Sequence, residues 1–227
     1  NSIVNIANGI ISTFSEVEKE FMPDYANISI SIETTDKNSL KASEENKIIS
    51  QKVMEAIKSK LALKVGEKIS TVNFIVYPNY SNNGKNNIVG YTCRNIILVK
   101  LKDLEKTGAI IDLAINNGAT KINNVTFDVE NDQNMCNNML PEAINNTRTR
   151  AGIIAKSLNV QISGVSKVSS SCYVQNSSNV ITYANARKAT SVDMSSGNNY
   201  ETASSNTSIE PKPIKVRASV NVDYKIK

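Results

Sequence analysis

At 227 residues, the chain is long enough to bury the core of one large domain or of two small ones. Its 26 Lys and Arg residues are dispersed among 21 Asp and Glu residues, and the net charge is +5. Without a basic block, this charge argues against nucleic-acid binding but is compatible with association at a membrane surface. The sequence has no histidine, which excludes Ser-His and Cys-His nucleophiles and histidine metal sites. It also has no run of about 18 apolar residues, which argues against a transmembrane helix.

Alternating apolar and polar residues predict two early strands, over Ser15 to Glu20 and over Tyr25 to Thr34. An amphipathic helix follows, capped by Asp36 or Ser39, and runs to about Leu61. We expect its apolar stripe to pack on the sheet. The stripe consists of Leu40, Ile49, Val53, Ile57 and Leu61.

The stretch from Ile69 to Leu101 predicts a long β-hairpin. Asn83-Gly84 is a strong turn signal because both residues tolerate positive φ. Pro78 cannot donate a backbone hydrogen bond, so it predicts a sheet edge or a bulge at that point. The polar tip, residues 81–87, is either an ordinary turn or a contact loop. Its candidate contact residues are Asn83, Gly84 and Lys85.

Downstream, a second helix opens near Asp103 and ends before Gly118, the natural residue for a left-handed cap. A strand over Ile122 to Glu130 and a polar loop precede a third helix, predicted over Leu140 to Leu158. Pro141 fits its first turn. Two exposed arginines of this helix, Arg148 and Arg150, are candidates for contact with a partner.

The last predicted strands cover Gly164 to Tyr173 and Ile214 to Ile226. Residues 175–208 between them are dominated by Ser, Asn, Thr and Ala, which predicts a long polar loop insertion. Such a loop is a second place for a ligand or partner to bind.

Three cysteines, Cys93, Cys136 and Cys172, are far apart and match no metal-binding spacing. Cys93 and Cys172 lie within predicted strands, whereas Cys136 lies in a polar loop before a helix. Three unpaired and mostly buried thiols are one expectation. The alternative is one disulfide in an oxidising compartment, which Cys93 and Cys172 would form if their strands adjoin.

An enzyme that uses two carboxylates is a further alternative, with Glu33 and Asp103 or Asp112 and Asp128 as the pairs. No spacing supports either pair. The sequence therefore predicts no catalytic residue, no cofactor and no metal ligand.

The order of several segments resembles that of the SIMPL domain family, also called DUF541, over about residues 15 to 227. A polar run over Asn145 to Thr149 departs from the alanines usual there. The segments that carry the resemblance are Met22–Ala26 with the following ISISIETT, Ala42 and Asn46 in the first helix, Ile69–Tyr80, Val89–Asn95, Asp103-Leu104 with Gly108, Ile111-Asp112, Gly118-Ala119, Ile122–Phe127, Arg150-Ala151 with Ala155, and the closing VRASVNVDY.

The resemblance implies an α+β fold with two layers, in which antiparallel sheet packs against about three amphipathic helices in two subdomains. We expect a single unit over residues 1–227. Its first subdomain is built on about 15–101 with the C-terminal strand, and its second on about 102–174. The resemblance also implies a non-enzymatic, exported protein of the periplasm or cell envelope that forms homo-oligomers, in some members linked to oxidative-stress tolerance. The opening NSIVNIANGIIS has no basic region, so we expect any signal peptide to precede it.

Overall fold

The computed structural model describes residues 9–61, 65–81, 87–175 and 209–227. In these residues it contains seven strands, three α-helices and one 3₁₀ turn at Leu104–Lys106. Two antiparallel sheets with three helices confirm the α+β fold class. The elements are β1 Ile10–Phe21, β2 Tyr25–Asp36, α1 Ser39–Lys60, β3 Lys68–Tyr80, β4 Ile88–Leu101, α2 Thr107–Asn116, β5 Lys121–Asp128, α3 Asp132–Ser157, β6 Ile162–Gln175 and β7 Ile214–Ile226.

The chain divides into two compact units, each with its own sheet. The four-stranded unit holds β2 to β5 with α1 and α2, and its strand order is β3-β4-β2-β5. The three-stranded unit holds β1, α3, β6 and β7, and its strand order is β1-β7-β6. Each sheet therefore has two strands at its edges.

An isoleucine-rich layer forms the core of the four-stranded unit. Ile28, Ile30 and Ile32 alternate along β2 and are fully buried, as their spacing predicts. They pack with Val53 and Ile57 of α1. The side chain of Asn38 caps α1 by accepting hydrogen bonds from the backbone N–H groups of residues 40 and 41, at 2.9 and 3.3 Å.

The core of the three-stranded unit is smaller and lies between α3 and the sheet. Met139 and Ala151 of α3 are buried against Val220 and Val222 of β7. A buried hydrogen bond of 3.0 Å joins the hydroxyl groups of Thr147 and Tyr224. A disulfide between α3 and β6 crosslinks this unit.

The strand pairing groups the elements differently from the predicted subdomains. β5 hydrogen-bonds to β2, so it belongs with the hairpin rather than with α3. The C-terminal strand β7 pairs with β1 and β6, and none of these strands joins the sheet of β2 and β4. Alternation along each strand identifies its buried face, but it carries no information about which distant strand supplies the partner. The predicted insertion at 175–208 falls almost entirely outside the described residues.

The predicted disulfide between Cys93 and Cys172 is wrong, and so is the expectation of three free thiols. Cys172 of β6 bonds to Cys136, with 5.9 Å between their Cα atoms. Cys93 is a free, buried thiol on β4, in the other sheet, and burial raises the pKa of this thiol. The polar residues around Cys136 predict a loop, whereas Cys136 lies in the first turns of α3. For this reason the sequence does not predict that Cys136 pairs with Cys172.

Two details of the helices also differ from prediction. α3 begins at Asp132, so Pro141 lies inside the helix and not in its first turn. The turns before the proline are held by the buried side chains of Cys136 and Met139, which offset the backbone hydrogen bond that Pro141 cannot donate. In α1, Leu40 belongs to the apolar stripe that was expected to pack on the sheet, but it is exposed. The polar side chain of Asn46 is fully buried instead.

Candidate functional site

The most unusual surface of the described residues is the edge strand β3. It pairs with β4 on one side, and the described part of the chain provides no strand on its other side. No charged residue occurs from Ile69 to Tyr80. Four apolar side chains on this strand are exposed by 37 to 56%, namely Val72, Phe74, Ile75 and Val76. A long, uncharged apolar edge offers unpaired backbone groups and apolar side chains to another chain.

Two shifts in register with β4 interrupt β3, and the sequence predicts one of them from Pro78. The register with β4 shifts between Thr71 and Asn73 and again between Asn79 and Tyr80. Pro78 lies beside the second shift, on an edge strand, which confirms the prediction from its missing N–H group. The uninterrupted part of the edge therefore runs from Asn73 to Asn79.

Exposed apolar residues continue from β3 onto the start of β4. Ile88 and Val89 are exposed by 50 and 56%, and Ile88 pairs with the exposed Tyr80. This apolar surface therefore leads toward the tip of the hairpin. The three predicted contact residues of the tip, Asn83, Gly84 and Lys85, lie outside the described residues.

A polar cleft of about 660 Å³ lies near the turn end of the hairpin, where the N-terminus of α1 meets the end of β3 and the start of β4. Lys37 and Lys41 line it together with Asn79 and Gly90. Asn79 is held in place by hydrogen bonds to Thr92, at 2.9 and 3.2 Å. A Cβ atom on Gly90 would lie 3.1 Å from the carbonyl oxygen of Asp36, so the close approach of the two backbones favours glycine.

The structure shows different surroundings for the four carboxylates that the sequence suggested as acid–base pairs. Glu33 forms an ion pair with Arg94, whose guanidinium also donates to the hydroxyl of Tyr77 at 3.2 Å. Asp103 forms an ion pair of 3.0 Å with Lys106. Asp112 lies on α2 and Asp128 ends β5. Among the described residues, no three His, Cys, Asp or Glu side chains are grouped to hold a metal ion.

The two arginines proposed for partner contact differ in their surroundings. Arg150 donates a hydrogen bond of 2.6 Å to the backbone carbonyl of Phe14, so it joins α3 to β1. Arg148 lies exposed on α3. The contact role of both residues stays a prediction.

The sequence predicts the hairpin but does not predict which of its apolar residues are exposed. The missed residues are Val72, Ile75, Ile88 and Val89, which the structure leaves exposed. The sequence feature that indicates an exposed edge is the absence of charge from Ile69 to Tyr80, in a strand that contains Pro78.

Within the described residues, no helix combines the length and the apolar character that crossing a bilayer requires. A comparison with curated proteins finds no significant match. A family model described as "SIMPL: Protein of unknown function (DUF541)" matches residues 11–224. Because this match spans nearly the whole chain and confirms the resemblance read from the ordered motifs, the protein belongs to the SIMPL (DUF541) family of unknown function.

Proposed function

We propose that this SIMPL protein is a non-enzymatic component of the bacterial cell envelope that assembles with copies of itself through the β3 edge. The observation that carries the proposal is the uncharged apolar stretch from Ile69 to Tyr80 on an edge strand. A second β3 can extend the sheet by antiparallel pairing, in which the same residues of both chains face each other. Such pairing would cover Val72, Phe74 and Ile75, which the single chain leaves in water.

Export to the periplasm is supported by the chemistry of the cysteines. Disulfides persist in oxidising compartments and are rare in the bacterial cytoplasm. The bond between Cys136 and Cys172 joins two secondary-structure elements of a small core, the usual setting of a structural disulfide. A role in oxidative-stress tolerance is the physiological part of the proposal, and comparing peroxide survival with and without the gene tests it.

The assembly is tested by measuring mass in solution across a range of concentrations. We expect wild-type protein to exceed the 24.8 kDa of one chain. The double variant Val72→Lys and Ile75→Lys should weaken association at least about tenfold, because lysines on an edge oppose strand pairing. Leu40→Lys with Ile48→Lys is the matched control, since it adds the same charge at exposed apolar positions of α1 in the same unit. A wild-type protein that stays monomeric, or a control that dissociates equally, would reject the β3 edge.

A second candidate function is the binding of a polar partner in the cleft beside the N-terminus of α1. The cleft is lined by Lys37, Lys41 and Asp36, so two cations and one carboxylate face it, which favours an anionic partner. Loop 81–87 is one predicted contributor. Loop 175–208 is the other predicted contributor. Exchanging Lys37 and Lys41 for Gln should abolish capture of an anionic partner while self-association stays intact. Unchanged capture would remove this candidate.

A further inference from the structure

A second pocket of the four-stranded unit, distinct from the cleft, includes two residues of β3 and the polar side chain of Asn95. It lies between α1 and the β3–β4 hairpin and encloses about 320 Å³. α1 contributes Lys47, Ser50 and Met54, which follow one another at helical spacing on one side of the helix. The strands contribute Thr71, Phe74 and Asn95. Its volume is within the range of small-ligand sites.

The β-bulge in β3 shapes this pocket. Thr71 pairs with Ile97 and Phe74 pairs with Asn95, whereas the register shift leaves Val72 as the extra residue between them. Two residues three apart would lie on opposite faces of a regular strand. With the extra residue, both Thr71 and Phe74 face α1, so that the Phe74 ring stands beside Asn95.

Asn95 has an acceptor atom that no described residue satisfies. The side chain is 6% exposed, and its Oδ1 is buried without a hydrogen-bond partner. A buried acceptor without a partner is costly and uncommon in native proteins. Because Asn95 lines the pocket, the missing donor is expected from that side.

The neighbouring hydrogen bonds fix the direction of the Asn95 amide. The Nδ2 of Asn46 donates to the carbonyls of Ile32 and Cys93, at 2.9 and 3.0 Å, so the Oδ1 of Asn46 is an acceptor. Ser50 therefore uses its only proton on that oxygen, at 3.1 Å. The Oγ of Ser50 can then only accept, which requires Asn95 to present Nδ2, at 2.8 Å. Turning the amide of Asn95 over would leave two acceptors facing each other, so its Oδ1 must face away from Ser50.

We propose that this pocket binds a small carboxylic acid that also carries a hydroxyl group on an apolar ring. The hydroxyl donates to Oδ1 of Asn95, the ring lies between Phe74 and Met54, and the carboxylate pairs with Lys47. Lys47 is exposed and is the only charged residue that lines the described part of the pocket, so the site favours an anion. Because Oδ1 of Asn95 is buried, binding requires the Phe74 ring to move aside, and this ring is 51% exposed.

Full-length wild-type protein and a matched pair of probes test this site without any substitution. The probes are 4-hydroxyphenylacetate and phenylacetate, which differ only in the hydroxyl group, titrated while assigned ¹H–¹⁵N spectra are recorded. We expect saturable shifts at Ser50, Phe74 and the Asn95 side-chain amide. Loss of the hydroxyl should weaken binding about fivefold, the usual contribution of one hydrogen bond. Equal affinities, or no saturable shift at these residues, would overturn the proposal.

Variants then assign the two polar contacts. Lys47→Met should weaken binding of 4-hydroxyphenylacetate about tenfold, as expected for a charge-assisted hydrogen bond. Lys52→Met is the matched control on another side of α1 and should leave binding unchanged. An equal effect of both variants would refute the carboxylate contact. The β3 double variant keeps every residue that lines the pocket, so it should still bind 4-hydroxyphenylacetate and separates a failure of this proposal from a failure of the assembly.

Discussion

Two of the four edge strands in the described sheets, β1 and β3, have nearly the same length, 12 and 13 residues, but they present opposite surfaces. β1 carries four charged residues, and Glu18 pairs across the sheet with Lys215 and Arg217 of β7. β3 carries no charge after Lys68 and leaves most of its apolar side chains in water. Charges on an edge strand oppose pairing with another chain. The charged β1 edge therefore opposes pairing with another chain, whereas the β3 edge has no charge from Ile69 to Tyr80 that would do so.

The two units also differ in what holds them together. The four-stranded unit relies on two helices over an isoleucine-rich core, and its cysteine is a free, buried thiol. The three-stranded unit has one helix, a smaller core and a disulfide between α3 and β6. A small core contributes less hydrophobic free energy, so a covalent crosslink has more effect there. The following predictions test this contrast in order of expected effect.

Truncating the largest fully buried side chain should lower the free energy of unfolding more than any other change proposed below. We expect Phe127→Ala to lower the free energy of unfolding by about 3–5 kcal/mol, because it removes buried surface and leaves a cavity between β5 and the helices. Urea unfolding followed by circular dichroism measures the change. Phe14→Ala is the control, since Phe14 is 53% exposed and its loss should stay within about 0.5 kcal/mol. Equal losses would contradict the assigned core.

Reduction of the disulfide should destabilise only the three-stranded unit. The two cysteines are 36 residues apart. In the chain-entropy account, a disulfide that closes a loop of this length raises the free energy of unfolding by about 3–4 kcal/mol. Hydrogen exchange with and without reductant should show lost protection in β6 and β7 but not in β2 and β4. Cys93 should resist alkylation until the protein unfolds, because burial raises its pKa. Equal deprotection of both sheets would argue against separate stabilisation.

Loss of the buried amide of Asn46 should destabilise the four-stranded unit by a smaller amount. Asn46→Ala leaves the carbonyl groups of Ile32 and Cys93 without their donor, at a cost of about 2–3 kcal/mol. Chemical unfolding measures it, with the exposed neighbour Glu45→Ala as the control. A change no larger than that of the control would show that water replaces the amide.

Removing the charge pairs on β1 should change the stability least. The change should be recognisable by its dependence on pH. Hydrogen bonds with Lys215 and then with Arg217 lower the pKa of Glu18 below its ordinary value of 4.5. A lowered folded-state pKa stabilises the protein above the unfolded value, and this contribution disappears as pH falls through the folded value. The unfolding midpoint of Glu18→Gln should therefore lie below that of wild type near pH 7 and approach it as the pH falls through the folded-state pKa of Glu18. A difference that persists in acid would assign the effect to packing.

Local features of the fold were predictable because they depend on neighbours in the chain. The alternation of Ile28, Ile30 and Ile32 correctly predicted their burial. Gly118 has a positive φ of 112°, as its place after α2 predicted, and a Cβ atom there would meet Ile49. Leu40 shows the limit of such reasoning, since helical spacing placed it in the core and α1 leaves it exposed.

The candidate surfaces were only partly predictable for the same reason. The hairpin and its edge at Pro78 followed from local chemistry, whereas the exposure of Val72 and Ile75 depends on β3 having no described strand beyond it. The pocket at Asn95 was not foreseen, because it requires a bulge in one strand, a helix above it and two hydrogen-bonded amides from distant segments.

By itself, the sequence determined the strands, the helices, most of their buried faces and the family, since periodicity and ordered motifs are local properties of the chain. Only the tertiary structure decided that β7 lies between β1 and β6, that β5 joins β2, and that Cys172 bonds to Cys136. Many pairings of these strands satisfy the same alternation, and the one adopted buries two separate cores at once.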